Sequence, residues 1–474
     1  MKILYAASEA RPFMASGGLA DVAGSLPRAL LDQGVDCRVI MPLYEDTPHE
    51  LRKKLTPVAS FNVPLGWRNQ YCGLLECEMD GVTYYFLDNK YYFWRKGIYG
   101  FYDDAERFAF FSKGICEALL HLDFSPEIIH CNDWQSALVP VYLNSYYRSS
   151  EKHRYIRTIF TIHNIQYQGK YGMELLDDVL GLPGYAAHWV EYDGALNMMK
   201  GAIEQSDCIS TVSPTYAEEI LDPWFSHGLD HILNEKRGKL IGILNGIDVE
   251  SYNPETDPTL VKPFSAKAPE GKADNKAELQ KLLGLAQEPD TMLVSIVSRL
   301  VSHKGIDLVS RIFDELMTRN VQLAILGSGE PVYENFFTEM SQRYPGRVAV
   351  EIGFLPQLSR KIYAGSDAFL MPSKSEPCGL AQMISLRYGT IPIVRTTGGL
   401  KDSITDMDDQ DGNGYTFQAY NAHDMLSAID RCLSLYGEKE QWNAAVLNAM
   451  ECDFSWKSSA AKYVELYREV LGKA

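Results

Sequence analysis

Short runs of β-branched and apolar residues recur through the first half of the chain, at Lys2–Ala7, Cys37–Met41, Tyr84–Leu87, Glu127–His130, Thr158–His163, Cys208–Val212 and Ile241–Leu244. The stretches between them change period. Over Asp104–Leu120 the residues Phe108, Phe111, Ile115 and Leu119 fall on one helical face. A second helix is announced by Ser213-Pro214, a capping hydroxyl followed by proline at the first helical position. Strands alternating with helices predict a mostly parallel sheet covered on both faces. The rhythm breaks over residues 253–290, after the turn-forming Asn245-Gly246. It resumes at Met292–Val297, Leu323–Leu326, Val348–Ile352, Ala368–Met371 and Ile391–Val394. The pattern predicts an α/β protein with two doubly wound, Rossmann-like domains, residues 1–245 and 246–455, facing across a deep cleft. Ligands would bind at the strand C-termini that line it. The amphipathic segment within residues 456–474 can pack on either domain, and a return to the first is left open.

Composition narrows the function. A chain of 474 residues with 46% apolar and 23% charged side chains is an ordinary globular one, long enough for two or three domains. Its net charge of −17 disfavours nucleic acid and anionic lipid as partners. No stretch approaches the roughly 20 apolar residues of a membrane helix, and the apolar run at the N-terminus is too short for a signal peptide. The expectation is a soluble, cytoplasmic protein. Nine cysteines scattered singly from Cys37 to Cys452, with no CxxC pair, fit reduced thiols; Cys72 and Cys77 share one extended region. The ten histidines show no HExxH spacing, so no metal is expected. Asp409-Gln410-Asp411-Gly412 suggests a calcium loop, but its first and twelfth positions would be Met407 and Gln418, and the pattern fails.

Candidate chemistry gathers at strand ends. Gly17 and Gly18, in a loop running from Ala15 to Asp21 ahead of a helix, let backbone N–H groups approach an anion, although a bare tight turn reads the same way. Arg299 and Lys304 follow a buried strand, where they could neutralise a pyrophosphate; surface solvation is the bland alternative. Gly327-Ser328-Gly329 begins a dinucleotide fingerprint, yet Val332 occupies its third glycine position. Glu376 lies in the loop Pro372–Leu380, ahead of a helix expected to begin near Gly379, and Thr396–Leu400 adds another glycine-rich loop. Asp133 and the pair His163-Asn164 each close a strand of the first domain. A strand-end histidine more often satisfies a carbonyl than performs chemistry.

Together these segments resemble the bacterial and plant glycogen/starch synthase family, retaining glucosyltransferases of the GT-B fold. The resemblance rests on Ser8-Glu9, Gly17–Val22, Asp133-Trp134, Thr161–Asn164, Thr211–Pro214, Asn245–Asp248, Ser298–Leu300, Lys304-Gly305, Ser375–Leu380 and Thr397–Leu400, in that order over nearly the whole chain. It implies transfer of glucose from ADP-glucose to the non-reducing end of an α-1,4-glucan, with retention and with neither cofactor nor metal. On the family pattern Arg299 and Lys304 bind the pyrophosphate, His163 lies against the donor glucose, and Glu376 holds its hydroxyls. Asp21, Asn164 and Asn245 line the same pocket, with Asp133, Gly17, Gly18, Cys378, Gly379 and Leu380. Phe354, after Gly353, stacks on adenine, and Tyr99 meets the acceptor. Two positions depart from common family patterns. Ala15 stands where a lysine is usual, and Arg11 is the candidate replacement; Ile384 stands where many related enzymes carry a second glutamate. The alternatives are a UDP-glucose enzyme and a catalytically weak glucan-binding protein. A homo-oligomer is left open.

Overall fold

The computed structural model describes residues 1–473, which divide into two compact units. One holds residues 1–243 and the C-terminal segment from Trp456; the other is Leu244–Ser455. The passage between them lies at Ile243–Leu244, two residues ahead of the expected boundary.

The strands of the first unit are β1 (Lys2–Ala6), β2 (Asp36–Pro42), β3 (Thr56–Leu65), β4 (Arg68–Met79), β5 (Val82–Asp88), β6 (Ile128–Asn132), β7 (Arg157–Ile162), β8 (Lys170–Tyr171), β9 (Glu191–Tyr192), β10 (Ala195–Asn197), β11 (Cys208–Thr211) and β12 (Leu240–Gly242). Nine form one sheet in the order β12-β11-β7-β6-β1-β2-β5-β4-β3, and β8, β10 and β9 form a small antiparallel sheet. Pairing is parallel from β12 to β5, while β4 and β3 close one edge as an antiparallel hairpin. Cys72 and Cys77 both lie on β4. The partner strand β3 is absent from the sequence reading, because its prolines and mostly exposed side chains carry no apolar run.

The helix Asp104–Ala118 corrects a second expectation. It is buried on nearly every side, with only Glu106 and Glu117 left out, instead of presenting one apolar face. Arg107 on it is fully buried and pairs with Asp104 Oδ1 at 2.6 Å. Its guanidinium also donates to the carbonyls of Tyr92 and Ile98, which fixes the loop leading to Tyr99. Ser213 caps the helix Pro214–Glu219 as its sequence predicts. The C-terminal helix Trp456–Val470 packs on the helix Gly18–Leu31. There Tyr467 closes on the buried His130, whose ring nitrogens meet Tyr467 Oη at 2.9 Å and Thr161 Oγ1 at 2.5 Å.

The second unit carries β13 (Met292–Val297), β14 (Val321–Gly327), β15 (Val348–Ile352), β16 (Ala368–Met371), β17 (Ile391–Arg395) and β18 (Tyr415–Phe417), all parallel, in the order β15-β14-β13-β16-β17-β18. Within the stretch read as aperiodic lies the helix Gly271–Leu282. It escapes a periodicity search because it buries polar groups with built-in partners. Lys276 Nζ, for example, meets Asp367 Oδ2 at 2.6 Å and Tyr436 Oη at 2.8 Å.

Strand order locates a functional site in each unit. A doubly wound sheet opens a crevice where the winding reverses, at the C-terminal ends of the two strands that flank the reversal. In the first unit the reversal falls between β1 and β6; in the second, between β13 and β16.

Candidate active site

At the first reversal β1 leads into Ser8 and Glu9, and β6 leads into Asp133. Glu9 is 3% exposed and has no cationic partner. Its carboxylate accepts from the backbone N–H of Ser16 and Gly17, and Tyr99 Oη lies 3.3 Å from Oε1 and 2.7 Å from Ser8 Oγ. Burial raises the Glu9 pKa against the lowering effect of those hydrogen bonds. Asp133 has a left-handed backbone, φ 54°, unusual outside glycine. The turn directs Oδ1 at the amides following β7, 2.8 Å from His163 N and 3.4 Å from Asn164 N. Burial pushes the Asp133 pKa up to about 7, and the Glu9 charge adds to the rise.

His163 follows the end of β7 directly. Its Nε2 lies 2.8 Å from Asn132 Oδ1, and burial pushes the imidazole down to about 3. It is therefore neutral at physiological pH, and its pairing with an amide oxygen assigns the proton to Nε2. Ser8, Glu9, Gly17, Tyr99, Asp133, His163 and Asn164 thus belong to one neighbourhood. Asp21 is turned to another partner: its Oδ1 takes the Nε of Arg11 at 2.5 Å. Arg11, the candidate replacement for the lysine absent at Ala15, is thereby partly neutralised. Gly24 makes room for it, since a Cβ there would lie 2.9 Å from the Arg11 carbonyl oxygen.

At the second reversal β13 leads to Arg299 and Lys304, and β16 leads to Glu376. The nearness of Lys304 and Glu376 is closer than their sequence separation suggests. Lys304 Nζ lies 2.6 Å from Glu376 Oε2, which also accepts from Ser373 Oγ at 2.9 Å. Gly305, at φ 77°, brings the two loops together; a Cβ on it would sit 2.0 Å from the Pro372 oxygen. The exposed Arg299 has Nη2 3.3 Å from His303 Nε2. Burial and then the charges of Lys304 and Arg299 lower the His303 pKa, leaving a neutral ring between two cations.

Cys378 is buried and pushed up to about 12, so it remains a thiol; the Asn245 N–H bonds to it. The side-chain oxygen of Asn245 is itself buried without a hydrogen-bond partner. Gly379 takes φ 73° and Leu380 precedes the helix, which begins at Ala381, two residues later than expected. Gly353 (φ 146°) and Phe354, 82% exposed, follow β15. That strand stands two places from β13, roughly 10 Å across the sheet. Among the described residues no group of three or more histidine, cysteine or acidic side chains is arranged to hold a metal ion. No helix is long and apolar enough to cross a membrane.

In the sequence Glu9 stands out only as part of a motif, and Ser373 only as a member of the loop Pro372–Leu380 with no role of its own. Their position beside a strand end is the available signal; most of their partners are near in sequence, and only Tyr99 reaches Glu9 from a distant loop.

Comparison with known proteins adds independent findings. Residues 2–235 match the family model of the starch synthase catalytic domain, and residues 281–448 match that of glycosyl transferases group 1. A glycogen synthase from Desulforamulus reducens is 50% identical over 99% of both chains. That of Geobacillus stearothermophilus is 48% identical over the whole of this chain and 98% of its own. Among solved structures, the catalytic domain of starch synthase IV from Arabidopsis thaliana, bound to ADP and acarbose, superposes with a TM-score of 0.91 at 35% identity over 99% of each chain. A sucrose-phosphate synthase from Thermosynechococcus elongatus, 16% identical with a TM-score of 0.63, shares the fold over the full length of both.

Proposed function

Because the chain belongs to the glycogen/starch synthase family of GT-B glycosyltransferases, we propose that it extends an α-1,4-glucan at the non-reducing end with glucose from ADP-glucose, retaining the anomeric configuration. The observation that carries this reading is the Lys304–Glu376 pair at the second reversal. One site there offers a cation to a phosphate and a carboxylate to sugar hydroxyls, 2.6 Å apart. A sugar diphosphonucleoside presents those two groups side by side. Phe354 supports adenine as the base, since it offers an exposed aromatic ring just after β15, in the same sheet as β13. ADP in the Arabidopsis relative supports the same nucleotide.

The residues present suffice for the chemistry. The bond from glucose C1 to the diphosphate oxygen breaks, and the electron pair leaves with ADP. Arg299 and Lys304 stabilise the charge that develops there; the reading gives this work to them and to no metal ion. The acceptor O4 attacks C1 from the face that ADP leaves, and its proton passes to the departing phosphate oxygen. Glu376, released to the sugar hydroxyls, orients the ring. His163, neutral and with its Nε2–H held by Asn132, offers Nδ1 as an acceptor to a sugar hydroxyl without adding charge beside the oxocarbenium-like carbon. Asn245 offers its unpartnered oxygen to the donor, and Tyr99 meets the acceptor. Nine cysteines, none in a disulfide, support a cytoplasmic location.

The test is a release assay with ADP-glucose and UDP-glucose in parallel on a glycogen primer. Glucose incorporation chiefly from ADP-glucose is expected. Faster transfer from UDP-glucose would replace the donor assignment. Glucan binding with no incorporation from either donor would replace the enzymatic one.

A further inference from the structure

The Lys304–Glu376 pair sits on two loops that have little to hold them by themselves. The Pro372–Leu380 loop turns backbone carbonyls inward, and each needs a donor. Arg395, the last residue of β17, supplies two of them. Its Nε donates to Ser373 O at 3.0 Å and its Nη2 to Lys374 O at 2.5 Å, while Nη1 reaches Gln418 O at 3.2 Å. A planar fork that fills three carbonyls from two loops cannot be reproduced by a lysine.

Two residues beyond Gln418, Tyr420 continues the connection to the other loop. Its hydroxyl lies 2.5 Å from Asp307 Oδ1 and 3.1 Å from Ser302 O. The Arg395 guanidinium and the Lys374 ammonium both approach its ring, at 5.9 and 5.8 Å from the centroid. The loops also join directly, through Lys374 N–H to His303 O at 2.9 Å. The segment after β18, the outermost strand, thus reaches both sides of the reversal point.

We infer that Arg395 and Tyr420 form a brace that sets the separation of Lys304 and Glu376, as positioning residues for the transfer reaction. Neither touches the ion pair itself. Arg395 fixes Ser373, whose hydroxyl holds Glu376; Tyr420 fixes Ser302 and Asp307, which flank Lys304. Loss of the brace lets the two loops move apart, and an error of about 1 Å between reacting groups costs about 100-fold in rate. This inference rests on the proposed transfer reaction for its kinetic consequence but not for its geometry.

The experiment has two arms, on the full-length protein. Amide hydrogen exchange is compared between wild type, Arg395→Lys and Tyr420→Phe. The brace requires each variant to speed exchange in residues 302–305 and 373–376 together, with β13 and β16 unchanged. Faster exchange confined to the loop that the altered residue touches would overturn it. In the second arm kcat and the acceptor KM are measured, corrected for folded fraction. Arg395→Lys is expected to lower kcat by about 10- to 100-fold and Tyr420→Phe by about 3- to 10-fold, with KM held. Millimolar guanidinium is expected to restore part of the activity of Arg395→Ala. A wild-type kcat in Arg395→Lys, or a loss fully accounted for by unfolding, would reject the positioning role. If wild type itself transfers nothing from ADP-glucose, the donor reading falls, and the exchange arm still decides the brace.

Discussion

The two reversal points handle buried carboxylates in opposite ways. In the second unit Glu376 is matched by Lys304, with a serine hydroxyl as third member. In the first, Glu9 and Asp133 share a neighbourhood in which, among the described residues, no cation is bonded to either, and they are held by backbone N–H groups and a tyrosine hydroxyl beside a neutral histidine. Amides and hydroxyls compensate a buried negative charge only partly, so both pKa values rise. Asp133 in the first site consequently titrates near neutrality. The second carries a fixed ion pair, which on the proposed reaction the donor exchanges for its own phosphate and hydroxyls. On the proposed reaction, a site for a dianionic leaving group needs cations, and one for a developing positive carbon is better without them.

Breaking the pair is the severest test of that contrast. Lys304→Ala is expected to lower kcat by about 100- to 1,000-fold. Glu376→Gln should also cripple transfer, yet bind ADP about tenfold tighter, because Lys304 no longer has to leave a carboxylate. Calorimetric titration with ADP checks this, and weaker binding would show that Glu376 helps Lys304 hold the phosphate.

Asp133→Asn comes next. The folded protein holds a proton on Asp133 up to about pH 7, whereas the unfolded chain releases it near its ordinary value of 3.8. That contribution is whole below about pH 4 and is lost as pH rises through 7. A shift of this size is worth at most about 4 kcal/mol, and the partial exposure of Asp133 reduces it to about 2 kcal/mol. The asparagine variant should therefore gain about 2 kcal/mol on wild type between pH 4 and pH 8. Chemical unfolding across that range measures it, and parallel pH profiles would mean the carboxylate is better solvated than its surroundings suggest.

Tyr99→Phe removes one hydroxyl from Glu9 and is expected to cost about 1 kcal/mol of stability. It should raise the Glu9 pKa further, visible by carbon NMR of labelled glutamate. The smallest effect belongs to His163. Its ring should show no titration between pH 5 and 8, since protonation begins only near 3. A midpoint in the ordinary histidine range would remove the electrostatic distinction between the two sites.

Most parallel strands follow the apolar runs of the chain to within two residues, because a strand covered on both faces must be apolar along its length. Two doubly wound domains are legible on that basis, and the GT-B fold follows from the resemblance to glycogen/starch synthases. The β3–β4 hairpin was only half visible, since an edge strand such as β3 exposes most of its side chains. The helix Gly271–Leu282 was invisible for the opposite reason: it is buried through polar groups. Glu376 and Lys304 could each be suspected from a strand end. Their direct contact could not, because it depends on Gly305 letting one loop lie against the carbonyl of Pro372. Arg395 carried no signal at all; one arginine at the end of one strand reads as a surface charge until its three carbonyls are found.

The return of the helix Trp456–Val470 to the first unit has a consequence for how the protein is made. During synthesis β1 to β12 emerge long before Tyr463 and Tyr467, the residues that close over His130. The domain translated first must wait for the segment from Trp456, with its His130 face uncovered, while the domain translated second can finish from its own contiguous stretch, 244–455. Birth order and order of completion are therefore reversed. A nascent chain that has emerged only as far as Ser455 would present a finished second domain beside an unfinished first, a partly folded intermediate that is exposed to aggregation.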